Sequence, residues 1–171
     1  DSCSIQGDFS SPKSVETFIQ RTLELHSNIR FLVNNVGNYL IKSTLDTSVK
    51  ESIELFQTNL MAQFALIKGF IPSIMNANGS VLNVGVAGIG GLKGRINHPV
   101  YHMTKLSLLS LTRSLARELS FFGVRVNMVS PGYLDIAVDL PVDLSKLPMG
   151  RAGHSDEVAR VVAFLLDDRS G

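Results

Sequence analysis

The sequence predicts a doubly wound α/β fold, a parallel sheet with helices on both faces, and three observations predict it. Short apolar runs at 29–33, 80–86 and 124–129 have the length of buried strands. Each is followed by turn-forming residues: Asn34-Asn35-Val36-Gly37, the glycines from Gly85 onward, and Pro131-Gly132. Between the runs lie amphipathic segments long enough to carry the chain back to the start of the next strand, as parallel pairing requires.

Taken in order, residues 4–9 read as the end of a strand. Ser11 then serves as an N-cap and Pro12 as the first residue of a helix that runs to about Leu25. The 29–33 strand leads into the Asn34-Asn35-Val36-Gly37 turn, and the loop beyond it is a candidate site wall. From about Thr47 to Met75, Ile53, Phe56, Leu60, Phe64, Ile67 and Phe70 recur at helical spacing, with Pro72 perturbing the end. After the 80–86 strand comes a loop through Gly88, Gly90, Gly91 and Gly94, then a helix carrying Tyr101 that extends to about Phe121. The 124–129 strand is terminated by Pro131-Gly132. A loop over 135–148, with Leu140, Val142 and Leu147 as an apolar lining, caps the substrate side, and a last helix spans 155–166 with Ser155 as N-cap.

The bulk properties exclude several classes. A chain of 171 residues with 44% hydrophobic content can build one core, and a formal net charge of +1 argues against nucleic acid. No apolar run reaches the ~18 residues of a membrane span, and no basic-then-apolar leader pattern opens the chain. The lone Cys3 has no internal disulfide partner, which suits a reducing compartment. A cytoplasmic protein without a membrane or a metal is the expectation. The glycines of 85–91 mimic a phosphate-cradling loop, but such a loop opens a helix at once, and here Lys93 to Pro99 intervene.

The chemistry sits in Tyr101-His102-Met103-Thr104-Lys105. A phenol and an ammonium four residues apart share one helix face. A phenol titrates near ~10, and an adjacent ammonium favours the phenolate, so the pair suits proton exchange at a carbonyl or alcohol. On a helix this spacing also occurs as surface decoration. Four further segments surround it in order: Gly7-Asp8-Phe9, Asn34-Asn35-Val36-Gly37, Asn59 within the long helix, and Val129-Ser130-Pro131-Gly132.

Together these segments resemble the short-chain dehydrogenase/reductase family over nearly the whole chain. The resemblance implies a single Rossmann-like NAD(P)-binding domain over 1–171, lacking the first two strand-helix units and the last strand, with the 4–9 strand at an edge of a 3-2-1-4-5-6 sheet. It implies hydride transfer between NAD(P)(H), NADP(H) ahead of NAD(H), and a small carbonyl or alcohol. Tyr101 would be the general acid or base, Lys105 the residue that lowers the phenol pKa and holds the nicotinamide ribose, and Asn59 part of a water relay. Asp8 and Phe9 match the adenine contact, although an Asx turn into Pro12 explains Asp8 nearly as well. Asn35 and Gly37 match the turn at the adenosine ribose, and Pro131, Gly132, Tyr133 and Leu134 the nicotinamide carboxamide segment. Gly85, Val86 and Leu140 would line the substrate pocket.

One departure is a missing serine. The family places a Ser after the strand preceding the Tyr helix, and Gly85 or Val86 holds that place here. Losing one oriented donor costs ~10²–10³ in turnover. The general texture of Arg113 to Leu119 and Arg125-Val126-Asn127 resembles 3-oxoacyl-acyl-carrier-protein reductases. Pteridine reductases, which lack this Ser, are the alternative, and a cofactor-binding protein without turnover is the alternative from another class. His98 and His102 flank Tyr101 as candidate donors, with His102 pointing away from the Tyr101 face. Apolar surface on the 52–75 helix and the Tyr101 helix implies a homodimer or homotetramer.

Overall fold

The computed structural model describes residues 2–91 and 94–170; Asp1, Leu92, Lys93 and Gly171 lie outside the described residues. Three parallel strands, β1 (Phe31–Asn34), β2 (Ser80–Val84) and β3 (Arg125–Val129), pair in the order β1-β2-β3, with Phe31 opposite Ser80 and Ser80 opposite Arg125. Consecutive strands are adjacent, so each intervening helix is a crossover. The expected strand over 4–9 forms no ladder among the described residues. A strand exists by pairing, and this segment has no hydrogen-bonded neighbour; its Phe9 instead packs edge-on against Phe18, with ring centroids 5.1 Å apart.

Helix α1 (Pro12–Leu25) starts as expected, with the Ser11 side chain accepting from the Ser14 amide in a capping box. It packs against α3 (Ala62–Asn76), and the approach is close: a Cβ on Gly69 would lie 2.6 Å from Ile19. The long helix departs from its regular pattern at an unexpected place. Helix α2 (Val49–Phe56), capped by Ser48 and Glu51, passes through a π turn at Gln57–Met61 before continuing as α3. Pro72 does not end it; the helix runs on to Asn76, where Asn78 takes a left-handed turn at φ 47°. Asn59 lies within the π turn and is fully buried.

Val15, Leu66, Ile67, Phe70, Ile74, Val81, Val124 and Val126 form the core between α1, α3 and the strands. Gly79 sets the entry to β2: the Ser80 amide donates to the Arg30 carbonyl at 3.1 Å, and a Cβ on Gly79 would sit 1.8 Å from that oxygen. Helix α4 (Pro99–Leu119) lies along β3 and carries Tyr101 to the carboxyl ends of the strands. Helix α5 (Ser155–Leu166) packs on β2 and β3, and Arg125 caps it by donating to the carbonyls of Leu165, Leu166 and Asp167. Its N-cap is His154 rather than the expected Ser155. Glu157 reaches back to the His154 amide at 2.8 Å and is held there by Arg151, which moves the helix start one residue.

Candidate active site

Tyr101 and Lys105 stand one turn apart on α4, the Lys105 Nζ 5.8 Å from the Tyr101 ring centroid. Lys105 is buried and donates to the carbonyl of Val84, the last residue of β2, at 2.7 Å. That bond anchors the ammonium at the carboxyl end of the sheet. Burial pulls its pKa down to about 8. The phenol moves against the expectation that Lys105 would lower it: burial, and then the charge of Asp139, raise the Tyr101 pKa. Tyr101 therefore stays protonated at neutral pH, as a proton donor must.

Asn59, fully buried in the π turn, uses every polar atom of its amide. Its Oδ1 accepts from the Asn38 amide at 2.7 Å and the Thr58 hydroxyl at 3.1 Å, while Nδ2 donates to the Asn38 carbonyl at 2.8 Å and Thr104 Oγ1 at 3.2 Å. The amide thus clamps the loop after β1 onto the helix. Gly37 permits the clamp, since a Cβ there would lie 2.9 Å from Asn59 Oδ1. Gln63, one turn further on, donates to the Val36 carbonyl at 2.8 Å and fixes the same loop.

Thr104 links Asn59 to the Tyr101 helix by donating to the Tyr101 carbonyl at 2.7 Å. Beneath them Asn34 donates to Asn83, and Asn83 to Thr112, in a buried polar row across the strands. Of these, only Asn34, in the segment after the strand, stood out in the sequence; Gln63, Thr104, Asn83 and Thr112 did not. The signal that could have found them is a polar residue on the apolar stripe of a helix that is otherwise buried.

At the third strand end, the Gly85 amide bonds the Val129 carbonyl and the Ala87 amide the Pro131 carbonyl, both at 2.8 Å. Pro131-Gly132 is thereby laid beside the loop holding Gly85 and Val86, with Ala87 Cβ 4.0 Å from a Cβ on Gly132. The missing hydroxyl is real in space as well as in sequence: Val86 is half-buried and apolar. Gly85 makes room for a different one, because its Cβ would come within 2.6 Å of Ser130 Oγ.

Tyr133 and Leu134 start the capping loop, which is closed at its base by a bridge between Leu134 and Gly153 and by the 2.7 Å contact of Asp135 with His154. Leu140 is half-buried, but Val142 is fully exposed, so it does not line the cleft as expected; Leu144–Lys146 form a helical turn directly after it. His98 does approach the site, its ring 6.4 Å from that of Tyr101, while His102 is buried in α4 with Nε2 unpaired among the described residues.

Asp8 accepts from the Ser10 amide at 2.9 Å and the Ser10 hydroxyl at 3.0 Å, which is the Asx turn into the helix. These bonds hold its pKa below the ordinary carboxylate value. Phe9 belongs to the core packing beside it. Asn35 and Gly37 are exposed at the end of β1. The expected residues thus fall in two main groups: Tyr101, Lys105, Asn59, Asn35, Gly37, Gly85, Val86 and Pro131 to Leu134 at the carboxyl ends of the strands, and Asp8 with Phe9 at the start of α1, with Leu140 apart in the capping loop.

A parallel sheet whose loops gather a buried ammonium, a protonated phenol and closely approaching backbone at its carboxyl edge defines a Rossmann-like domain suited to redox chemistry. The family profile described as Enoyl-(Acyl carrier protein) reductase matches residues 1–171. The chain is 32% identical to the 3-oxoacyl-acyl-carrier-protein reductase of Mus musculus, over 94% of this chain and 69% of that protein. It is also 32% identical to that of Haemophilus influenzae, over 93% of this chain and 68% of the other.

Among solved structures, a short chain dehydrogenase/reductase family protein superposes with a TM-score of 0.84 at 32% identity, covering 97% of this chain and 69% of that one. A Caenorhabditis elegans short-chain dehydrogenase/reductase solved with cofactor gives 0.84 at 26%, covering 95% and 67%. This chain belongs to the short-chain dehydrogenase/reductase family and is an NAD(P)-dependent oxidoreductase. Among the described residues no helix is long and apolar enough to cross a membrane.

Proposed function

We propose that this protein reduces the ketone of 3-oxoacyl thioesters with NADPH, Tyr101 acting as the general acid. The observation that carries the reading is the buried Lys105 ammonium at the end of β2, one turn from a phenol that burial keeps protonated. Lys105 gives one of its three protons to Val84 and retains two further donors in a buried place, a donor set that fits the diol of a nicotinamide ribose. A nicotinamide held there would supply the hydride that the carbonyl carbon takes up. Tyr101 gives its hydroxyl proton to the carbonyl oxygen, and Lys105 stabilises the phenolate that remains.

Asn59 supports this by fixing the loop beside Tyr101, and Pro131 to Leu134 border the same space; Gly85, Val86 and Leu140 would line the substrate side, while Asp8, Phe9, Asn35 and Gly37 would meet the adenosine half. NADP(H) ahead of NAD(H), a cytoplasmic location and a single domain over 1–171 complete the reading. A homodimer or homotetramer is supported by the apolar groove along α2 and the π turn, where Val49, Ile53 and Met61 are exposed.

The test is oxidation of NADPH and NADH by the full-length protein against acetoacetyl thioesters, diketones, quinones and dihydropterins, with Tyr101→Phe alongside. Thioester turnover lost in Tyr101→Phe is the expected result. Cofactor binding without turnover of any carbonyl would refute it, and preference for dihydropterins would reassign the substrate.

A further inference from the structure

The loop after β1 and the capping loop meet over Tyr101. The Tyr39 hydroxyl donates to the Asp139 carboxylate at 2.7 Å across a hundred residues of chain, and the Tyr39 ring stands edge-on to that of Tyr101 with centroids 4.6 Å apart and planes at 83°. His98 completes the wall, its ring 5.9 Å from that of Tyr39. Tyr39 is itself held at its root, because Asn59 clamps the backbone of Asn38 on both sides.

Asp139 and Asp156 differ from the other acids of the 135–157 stretch in having no ion-pair partner among the described residues. Asp143 meets Lys146 at 3.7 Å and Glu157 meets Arg151 at 2.8 Å, whereas among the described residues Asp139 has no cationic partner and is held by a neutral phenol. Its charge nevertheless reaches the cleft, since it adds to burial in raising the pKa of both Tyr39 and Tyr101. An uncompensated carboxylate beside the Tyr101 ring, though open to solvent, repels a second one approaching that phenol.

We propose that Asp139, positioned by Tyr39 at the mouth of the Tyr101 cleft, is a specificity residue that rejects carbonyl substrates bearing a free carboxylate and so admits neutral 3-oxo esters and thioesters over the corresponding 3-oxo acids. The inference rests on Tyr101 being the proton donor, and it adds a reason for the enzyme to act on the esterified form. Hydrolysis of a thioester leaves a product that carries the same ketone but also a charge that this wall excludes.

The experiment uses the full-length protein with NADPH and a matched pair, methyl acetoacetate and acetoacetate, which differ in the charge beside one ketone. The readout is the ratio of kcat/KM for ester over acid. Asp139→Asn removes the charge and keeps an oxygen that accepts from Tyr39, so the ratio falls ~10-fold, the scale of one like-charge repulsion in a partly solvated cleft. In the unsubstituted protein the ratio also falls as salt rises from ~0.1 to ~1 M, where the screening length shrinks from ~10 to ~3 Å.

A ratio insensitive to both the substitution and salt, with the ester still turned over, overturns the inference alone. Should the Asn variant fail to fold, the salt series on the unsubstituted protein decides. No turnover of the ester or of acetoacetyl thioesters overturns the reading of Tyr101, and this inference with it.

Discussion

Asn59→Asp exchanges the side-chain NH2 for an oxygen and breaks half of the clamp on the loop beside Tyr101. The two acceptances, from Asn38 at 2.7 Å and Thr58 at 3.1 Å, survive. The two donations, to the Asn38 carbonyl at 2.8 Å and to Thr104 at 3.2 Å, do not, and a carboxylate oxygen then faces a carbonyl oxygen in a position with no solvent exposure. Two lost hydrogen bonds cost about 1 kcal/mol each, and an uncompensated buried charge brings the total to about 3–5 kcal/mol. Asn59→Ala loses all four bonds but buries no charge, and Asn38, being exposed, recovers water, so it costs only about 2 kcal/mol.

The sign with pH separates the two variants. A carboxyl in this place has its folded pKa raised above the unfolded ~3.9, so the neutral acid is favoured in the fold and can donate to the Asn38 carbonyl. The deficit of Asn59→Asp is then full near about pH 8 and narrows toward about pH 5, while that of Asn59→Ala stays constant. Urea unfolding at the two pH values, read as a change in midpoint at constant slope, measures both. An Asp variant as stable as the parent at the higher pH, or one that loses further stability on acidification relative to Asn59→Ala, would refute the clamp.

Four further outcomes follow from the same geometry. Gly37→Ala puts a Cβ 2.9 Å from Asn59 Oδ1 and lowers stability by about 1–3 kcal/mol, seen as a lower urea midpoint, with a rise in KM as the loop shifts. Val86→Ser restores a hydroxyl where Gly85 and Val86 lack one and raises kcat about tenfold or more in steady-state assays; an unchanged kcat would assign that role to Ser130. Reductase kcat declines as pH rises through about 8, where Lys105 loses its proton, and a profile flat to pH ~10 would contradict the burial of that ammonium. Gly79→Ala drives a Cβ to 1.8 Å from the Arg30 carbonyl and prevents β2 from entering the sheet, so the variant is recovered unfolded or not at all.

What the sequence made legible were features written locally. Ser11 and Pro12 announce α1, the apolar runs announce the strands, and the four-residue spacing of Tyr101 and Lys105 places both on one face of α4. Features that depend on a distant partner were not legible. Nothing near Asn59 in sequence signals its clamp, because the backbone groups it bonds belong to Asn38, 21 residues away. The helix cap moved from Ser155 to His154 because Glu157 is held by Arg151, an arrangement that residue preference at one position does not encode. Tyr39 and Asp139 escaped for the same reason: each is an ordinary loop residue until the capping loop folds over the first.

The Tyr101 phenol departs from what its spacing to Lys105 implies. From spacing alone the ammonium of Lys105 should lower the Tyr101 pKa, but in the fold the ammonium turns to the Val84 carbonyl and burial dominates, raising it. For reduction this arrangement is the useful one, since the acid must remain protonated until the carbonyl oxygen takes negative charge.

The same burial makes Lys105 a local liability. Its pKa falls from 10.5 to about 8, a net shift worth about 3 kcal/mol against the charged form with the Val84 bond already made, whereas removing the ammonium leaves the Val84 carbonyl unpaired at a cost of about 2 kcal/mol. Below about pH 8 the fold bears that cost. Above it the folded lysine is neutral while the unfolded one still binds its proton, so stability rises with pH until about 10.5. Lys105→Met is therefore expected to gain about 1 kcal/mol at neutral pH in thermal or urea unfolding, to lose that advantage as pH climbs past about 8, and to have no reductase activity. A variant less stable than the parent near neutral pH would mean that the Val84 bond outweighs desolvation, and that Lys105 is held in place by the fold rather than at its expense.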